Sequence, residues 1–303
     1  MNVPDGKEKD GGKKMLDIAI IGAGPAGLSA AITGIIRNKK VKVFGNPPST
    51  SYIYKAERVD NYIGMLGVTG HEMMEQFTGH AKELGVEIQT AKVIEIFPMG
   101  QSYMLNVENE FIEAKTIILA NGLAKTGILE GENEFLGRGV SYCATCDGPL
   151  YRGKAVVVVG DSAHAEEDAN YLAEVCEKVY YMPLYKEIEH LDERIEVMRT
   201  RPKKIIGENI VSGIEHNEGL LEINGVFIIK ENIPTSRLLN GLEMNRTAIK
   251  VNRMMETNLP GVFAAGDCTG KPFQVAKAVG EGNTAVLQAV SYLNGLKRAE
   301  SAH

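Results

Sequence analysis

A glycine-rich turn between a predicted strand and a predicted helix, near the start of the chain, constrains the fold most strongly. Residues 16–21 form an apolar, β-branched run that predicts a buried strand, and residues 28–36 have the apolar spacing of a helix. Between them, residues 22–27 read Gly-Ala-Gly-Pro-Ala-Gly, and a second strand is predicted at residues 40–44. Such a turn lets the backbone approach a pyrophosphate, whose charge the helix N-terminus attracts. The segment therefore predicts a βαβ dinucleotide-binding unit.

A second unit of the same kind is predicted in the middle of the chain. Residues 154–159 are an apolar strand, residues 166–175 a helix and residues 179–182 another strand, with Gly-Asp-Ser-Ala-His-Ala at residues 160–165 as the turn. The predicted fold class is α/β, with two Rossmann-like, three-layer domains of the FAD/NAD(P)-binding type, the second inserted in the first.

Two cysteines separated by two residues lie just before the second unit. Cys143 and Cys146 can form a disulfide or two thiols, and a helix beginning there would lower the pKa of one thiol. Asp147 follows directly and could move a proton to or from a thiolate, although an Asp before Gly is also a common turn residue. A zinc site would need further ligands, and Cys176 and Cys268 are single and distant. We therefore expect a redox pair and no metal.

A further candidate site lies late in the chain, where a short strand is predicted to end at Asp267. A carboxylate there can accept a hydrogen bond from a ligand hydroxyl, or it can be an ordinary cap, and Gly266 permits close backbone approach. A helix is predicted from about residue 273 to about residue 296. If its N-terminus were aimed at a flavin ring, it would stabilise negative charge on the reduced form.

Composition narrows the classes of protein. The 303 residues are 44% hydrophobic, and 33 Lys and Arg against 39 Asp and Glu give a net charge of -6. This balance argues against non-specific nucleic-acid binding, and no apolar run is long enough to span a membrane. The polar residues 1–14 lack the apolar core of a signal peptide and are predicted to be a disordered tail. The expected location is the cytoplasm, where a Cys-x-x-Cys pair is more often catalytic than structural.

Several motifs in order resemble the low-molecular-weight thioredoxin reductases. They are the glycine-rich turn, Asp-Asn-Tyr-Ile-Gly at residues 60–64, Leu-Ala-Asn-Gly at residues 119–122, Cys-Ala-Thr-Cys-Asp-Gly at residues 143–148 and Gly-Val-Phe-Ala-Ala-Gly-Asp at residues 261–267. The resemblance implies a homodimeric flavoprotein that reduces thioredoxin. It also implies an FAD-binding domain formed by residues 15–125 and 244–303, and an inserted domain, resembling an NADPH-binding one, at residues 126–243.

The resemblance also implies roles for individual residues. Cys146 would face the flavin, Cys143 would attack the disulfide of thioredoxin, and Asp147 would be the acid/base. The residues implied to contact FAD are Gly22, Ala23, Gly24, Pro25, Ala26, Gly27, Gly45, Asn46, Asn61, Ala120, Asn121, Gly122, Gly266, Asp267, Gln274 and Val275.

Departures from the usual family pattern concern the NADPH site. Ser162 replaces the middle glycine of the second turn, and Lys186 is the only positive charge near the end of the following strand. Losing two or three charge-assisted contacts, at about 1.5 to 3 kcal/mol each, would lower NADPH affinity by several orders of magnitude, so the NADPH site is predicted to be lost. In the first unit, Asn46 stands where an acidic residue usually holds the adenosine ribose. These changes resemble the ferredoxin-dependent flavin thioredoxin reductases of clostridia.

The resulting prediction is an enzyme that passes electrons from reduced ferredoxin through FAD and the cysteine pair to thioredoxin. Two alternatives remain, an NADPH-dependent thioredoxin reductase with an atypical nucleotide site and a non-catalytic flavin and disulfide redox sensor. Two basic clusters could dock an acidic ferredoxin or could be ordinary solvated surface. They are Arg37, Lys39, Lys40 and Lys42 in one stretch, and Arg199, Arg201, Lys203 and Lys204 in the other.

Overall fold

The computed structural model describes residues 15–108, 110–122, 129–132, 134–229, 238–245 and 248–301. The predicted tail at residues 1–14 lies outside the described residues, as does the predicted domain border at residues 125–126.

The described residues form five helices and seventeen strands. The helices are α1 (Pro25–Ile36), α2 (Gly70–Glu83), α3 (Ala144–Asp147), α4 (His164–Val175) and α5 (Val275–Glu300). The strands are β1 (Leu16–Ile21), β2 (Val41–Gly45), β3 (Glu87–Thr90), β4 (Val93–Met99), β5 (Ser102–Val107), β6 (Glu110–Leu119), β7 (Val140–Ser141), β8 (Ala155–Gly160), β9 (Lys178–Pro183), β10 (Glu196–Val197), β11 (Pro202–Gly207), β12 (Val211–His216), β13 (Gly219–Glu222), β14 (Gly225–Ile229), β15 (Met244–Asn245), β16 (Ala248–Ile249) and β17 (Val262–Ala264).

The first sheet joins the two ends of the chain. Its strand order is β3-β2-β1-β6-β5-β4, and β17 pairs in parallel with β6, aligning Phe263 with Ile118. Strands β1, β2, β3 and β6 are also mutually parallel, whereas β4 and β5 are antiparallel. Helices α1 and α5 bury alanines such as Ala30 and Ala289 in one core cluster beside this sheet. The strand–helix–strand unit predicted at residues 16–44 is present.

The second sheet contains the other predicted unit. Its five parallel strands run in the order β10-β9-β8-β14-β7, and α4 packs Ala169 and Leu172 into a core cluster with Val156 and Val158. Strands β11, β12 and β13 form a separate antiparallel sheet. Strands β7–β14 lie in sequence between β6 and β17 of the first sheet, so the second unit is inserted in the first. With helices packed on both parallel strand sets, the predicted α/β fold class is confirmed.

A third buried cluster contains residues from both sheets, including Ile21 and Phe44 from the first and Val157 and Val226 from the second. Across the described residues, no helix combines the length and apolarity that a membrane crossing requires. Within the same part of the chain, no group of three or more His, Cys, Asp or Glu side chains is arranged to hold a metal ion.

Candidate active site

A cavity of about 670 Å³ opens at the carboxyl ends of β1, β2 and β6. Parallel sheets with crossover helices bind dinucleotides at this edge. The cavity is lined by most of the residues that the resemblance implies for FAD: Gly22, Ala23, Gly24, Pro25, Ala26, Gly45, Asn46, Ala120, Asn121, Gly122, Gly266, Asp267, Gln274 and Val275. Gly27 and Asn61 are outside this lining.

The three glycines of the first turn serve different purposes. A Cβ on Gly22, whose φ is +120°, would lie 2.2 Å from the carbonyl oxygen of Ala120, and a Cβ on Gly27 would lie 1.8 Å from the carbonyl oxygen of Gly22. A Cβ on Gly24 would meet no protein atom within 4 Å. Gly22 and Gly27 therefore permit backbone packing, whereas Gly24 faces open cavity.

The N-terminus of α1 forms one wall of the cavity. Gly24 is its N-cap, Pro25 its first residue, and no acidic residue lies in its first turn. Free backbone N–H groups and the positive end of the helix dipole favour an anionic group there. The bare backbone at Gly24 and this helix end together fit the pyrophosphate of a dinucleotide.

Asp267 reaches the cavity from the opposite end of the chain. It follows Gly266, whose φ of +85° lies in the left-handed region, and it begins a short 3-10 helix at Asp267–Thr269. Burial raises the pKa of the Asp267 carboxyl above its ordinary value, while Lys277 lowers the pKa and Glu281 raises it further. A partly buried carboxylate in the lining can accept a hydrogen bond from a polyol hydroxyl.

Asn61 does not line the cavity but contacts a residue that does. Its amide donates a 2.9 Å hydrogen bond to Oε1 of Gln274, the N-cap residue of α5. Asn61 lies in a loop whose ends are joined by the antiparallel bridge between Val59 and Val68. Ile63, at the tip of this loop, is almost wholly exposed.

Sequence reasoning missed several residues of the lining: Phe44, Pro47, Pro48, Ser51, Tyr52, Lys92, Leu238 and Phe273. The segment after β2 carried a usable signal, because residues following the second strand of a dinucleotide unit ordinarily approach the adenosine end of the ligand. Leu238 and Lys92 carried none, because each is brought to the cavity by tertiary packing.

The cysteine pair is a disulfide at the start of α3. The Cα atoms of Cys143 and Cys146 are 5.3 Å apart. Cys143 is the N-cap residue, and its sulfur accepts a 3.2 Å hydrogen bond from the Cys146 backbone N–H and lies 3.5 Å from the Thr145 hydroxyl. After reduction, these donors would favour the thiolate of Cys143 over the thiol. Cys143 is 8% exposed and Cys146 somewhat more.

The groups around the disulfide differ in their chemistry. Asp147 is partly buried, and its charge adds to the effect of burial in raising the pKa of Tyr151. The remaining cysteines are poor nucleophiles, since burial raises the pKa of Cys176 to about 11 and that of Cys268 to about 12. Thiol chemistry among the four cysteines is therefore concentrated at Cys143 and Cys146.

The turn of the second unit, at residues 160–165, is followed by acidic residues where a dinucleotide would place its pyrophosphate. Glu166 and Glu167 lie in the first turn of α4, and His164, at its start, is exposed on the surface. Glu166 is 1% exposed and accepts hydrogen bonds from the Tyr185 hydroxyl and from the backbone N–H groups of Glu189 and His190.

Residues of β9 and the residue that follows it also contact this turn. The backbone N–H of Leu184 donates a 2.8 Å hydrogen bond to the carbonyl of Gly160. The Tyr181 hydroxyl lies so close to Gly160 that an added Cβ would be 2.4 Å from it. The chain's own side chains thus occupy the surroundings of the second turn.

Comparison with known proteins agrees with this geometry. The family model described as pyridine nucleotide-disulphide oxidoreductase matches residues 16–282. The chain belongs to this family. A thioredoxin reductase of Aquifex aeolicus is 34% identical over 308 residues, covering 94% of this chain and 95% of the relative.

Several solved structures are similar to this chain. A ferredoxin-flavin thioredoxin reductase from Clostridium acetobutylicum is 46% identical with a TM-score of 0.88, covering 94% of this chain and 99% of that one. A thioredoxin reductase from Gloeobacter violaceus is 29% identical with a TM-score of 0.78, covering 92% and 95%. The predicted resemblance is confirmed. Thioredoxin reductases of this family are flavoproteins that bind FAD, and the chain is a flavin disulfide reductase of the thioredoxin reductase type.

Proposed function

We propose that this chain is a ferredoxin-dependent thioredoxin reductase that takes electrons from reduced ferredoxin and delivers them, through FAD and the Cys143–Cys146 pair, to the disulfide of thioredoxin. The supporting relative is the Clostridium acetobutylicum structure, a ferredoxin-flavin thioredoxin reductase with 46% identity over nearly the whole chain. The observation that carries the choice of donor is that the second turn is acidic and that the loop after β9 covers it through hydrogen bonds to Glu166.

The cavity fits FAD. In this proposal the N-terminus of α1 and the bare backbone of Gly24 would hold the pyrophosphate, and Asp267 would accept a hydrogen bond from a hydroxyl of the ligand. Gln274 and Val275 line the cavity at the N-terminus of α5, where the helix dipole would favour negative charge on a reduced flavin. Bound FAD supplies the ability to accept electrons singly and to release them as a pair.

The cysteines then carry out thiol–disulfide exchange. The Cys143 thiolate attacks one sulfur of the thioredoxin disulfide, forming a mixed disulfide and releasing one thioredoxin thiolate. Cys146 attacks the Cys143 sulfur, which restores the Cys143–Cys146 disulfide and releases the second thiolate of thioredoxin. Each released thiolate takes up a proton, and Asp147 is placed beside Cys146 to move protons to and from that thiol. Because Cys143 is buried, this exchange requires an opening motion.

The case against NADPH is electrostatic and steric. A pyrophosphate at the second turn would bring its negative charges close to the carboxylates of Glu166 and Glu167, which would repel them. The hydrogen bonds that Glu166 accepts from the loop after β9 would also have to break before that loop could leave the turn. NADPH dependence with an atypical site would require that rearrangement. A non-catalytic redox sensor would require the cysteine pair to switch without passing electrons to thioredoxin.

The remaining parts of the proposal concern organisation. We infer an FAD-binding domain from residues 15–125 and 244–303, an inserted domain at residues 126–243, a homodimer and a cytoplasmic location. The strand order supports this division, because the strands of the first sheet come from residues 16–119 and 262–264 and those of the second from residues 140–229.

Of the two basic clusters, the one at Arg199 to Lys204 is the better candidate for ferredoxin docking. Arg37 of the first cluster is the C-cap residue of α1, so it lies a full helix of 12 residues, about 18 Å, from the dinucleotide turn. One lysine of each cluster is already paired, Lys42 with Glu87 and Lys204 with Glu130. Arg201 and Lys203 are both exposed. The test is charge reversal, in which R201E/K203E weakens reduction by ferredoxin at low salt and K39E/K40E does not.

The test of the donor is anaerobic reduction of the purified flavoprotein. Excess NADPH or NADH is added to one sample and catalytically reduced ferredoxin to another, and the flavin absorbance is followed. The proposal expects bleaching by ferredoxin alone, followed by reoxidation when oxidised thioredoxin is added. Rapid bleaching by NADPH would establish the first alternative, and flavin reduced by ferredoxin that never reoxidises with thioredoxin would establish the sensor.

A further inference from the structure

A mostly buried ion pair lies beneath the turn that presents Asp267. Lys277 and Glu281 are four residues apart on α5, and Nζ of Lys277 is 3.0 Å from Oε2 of Glu281. Their side chains are only 16% and 18% exposed. Neither residue lines the cavity.

The pair binds both backbone polar groups of one residue, Gly266. Glu281 accepts a 2.9 Å hydrogen bond from the backbone N–H of Gly266, and Lys277 donates a 2.9 Å hydrogen bond to the carbonyl of the same residue. Both side chains also hydrogen-bond the hydroxyl of Thr269, and Lys277 reaches the carbonyl of Gly270. The segment from Gly266 to Gly270, which contains Asp267, is thereby fixed at both ends.

We propose that Lys277 and Glu281 are a pair of positioning residues that together fix the Gly266–Asp267 turn, and with it the carboxylate that holds the cofactor. This inference rests on the placement of FAD in the cavity that is proposed above. It assigns the two residues a role toward the flavin that neither exerts by contact.

The pair is interdependent because each charge is buried against the other. Lys277 has four polar partners, and removing Glu281 would leave its ammonium, which is only 16% exposed, without its ion-pair partner. Removing Lys277 would likewise leave the Glu281 carboxylate without its ion-pair partner. Each single replacement should therefore disturb the turn more than the double replacement does.

The two residues also act on Asp267 in opposite directions. Beyond burial, the charged groups of the described residues that act on the Asp267 carboxyl are Lys277, which lowers its pKa, and Glu281, which raises it. A purely structural pair would shift the pH dependence of flavin binding in the same direction when either member is lost. A pair that also tunes Asp267 would shift it in opposite directions.

The experiment measures the rate of flavin release from the holoenzyme, by the rise of flavin fluorescence, between about pH 5 and pH 8. The variants are K277M, E281Q and K277M/E281Q, with K297M, an exposed lysine near the other end of α5, as the matched control. At the upper pH, we expect release to be about ten-fold faster in each single variant, from the lost charge-assisted hydrogen bonds. The acceleration of release as pH falls should begin at higher pH in K277M and at lower pH in E281Q, with K297M matching the parent protein.

Two results would overturn the inference. One is a pH profile that moves the same way in both single variants. The other is release from K277M and E281Q at the rate of K297M. Flavin that is reduced by NADPH rather than ferredoxin would overturn the proposed donor and leave this inference intact, and a protein that takes up no flavin would overturn both.

Discussion

The Tyr185 hydroxyl donates a hydrogen bond to the carboxylate of Glu166, a side chain that is 1% exposed in the first turn of α4. This bond ties the loop after β9 to the helix whose N-terminus would face a nucleotide. The backbone N–H groups of Glu189 and His190 bind the same carboxylate. A buried charge with three donors is stable only while those donors remain, so the loop and the helix end are held together.

Replacing Glu166 by Gln should therefore change how stability depends on pH. Burial raises the pKa of Glu166, but hydrogen bonds from Tyr185, His190 and Glu189 lower it more, and the folded pKa lies below the ordinary value. A carboxyl with a depressed pKa stabilises the fold above its unfolded pKa of about 4.3 and loses that contribution as pH falls toward the folded value. We expect E166Q to lower the melting temperature at neutral pH and to flatten its decline in acid.

The matched control is Glu167→Gln. Glu167 is the next residue of the same helix turn, but its side chain is 84% exposed. Its replacement should leave the melting curve within experimental error at every pH. Equal effects of E166Q and E167Q in calorimetry would contradict the account of the Glu166 network.

Two glycines of the first turn make a paired test of cofactor placement. Gly24→Ala puts a methyl group into open cavity, so the protein should fold with its usual melting temperature in the absence of ligand but bind FAD at least ten-fold more weakly. Gly22→Ala puts the methyl group 2.2 Å from the Ala120 carbonyl oxygen at a positive φ, so it should destabilise the protein itself. Flavin titration and thermal melting distinguish the two, and unimpaired FAD binding by G24A would remove the pyrophosphate from this turn.

The roles proposed for the two cysteines can be separated by trapping. In Cys146→Ser the attacking Cys143 remains, so a mixed disulfide with thioredoxin should accumulate and appear as a larger species in non-reducing electrophoresis. In Cys143→Ser the remaining thiol is the one assigned to the flavin side, and little adduct should form. Turnover should fall by more than about a thousand-fold in both variants. Adduct formation by C143S alone would reverse the assignment.

The Thr145 hydroxyl should tune the nucleophile. It lies 3.5 Å from the Cys143 sulfur and can donate to a thiolate, which lowers a thiol pKa. In a C146S background, T145V should raise the pKa of Cys143 by about one unit, because a hydrogen bond to a charged group contributes about 1.5 to 3 kcal/mol. The pKa is read from the pH dependence of iodoacetamide alkylation. T145S keeps the hydroxyl and should retain the parent value.

Much of the fold could be predicted because its units are local. The apolar run of β1, the glycine-rich turn and the helical spacing of α1 are consecutive in the sequence, and each pattern specifies its own element. The second predicted helix begins at His164, two residues earlier than expected, and the last extends from Val275 to Glu300 rather than to about residue 296. Caps and frayed ends leave only a weak mark in the sequence.

The sequence alone determined the two strand–turn–helix units and the reactive cysteine spacing, because the chemistry of each depends on residues a few positions apart. Only the tertiary structure decided that Leu238 lines the cavity, that Lys277 and Glu281 clamp Gly266, and that Glu166 draws the loop after β9 over its own helix. Those contacts join separate elements, and Asn61 and Gln274, which are joined by a hydrogen bond, are 213 residues apart. Periodicity within a segment records which face of that segment is buried, but not which distant segment will cover it.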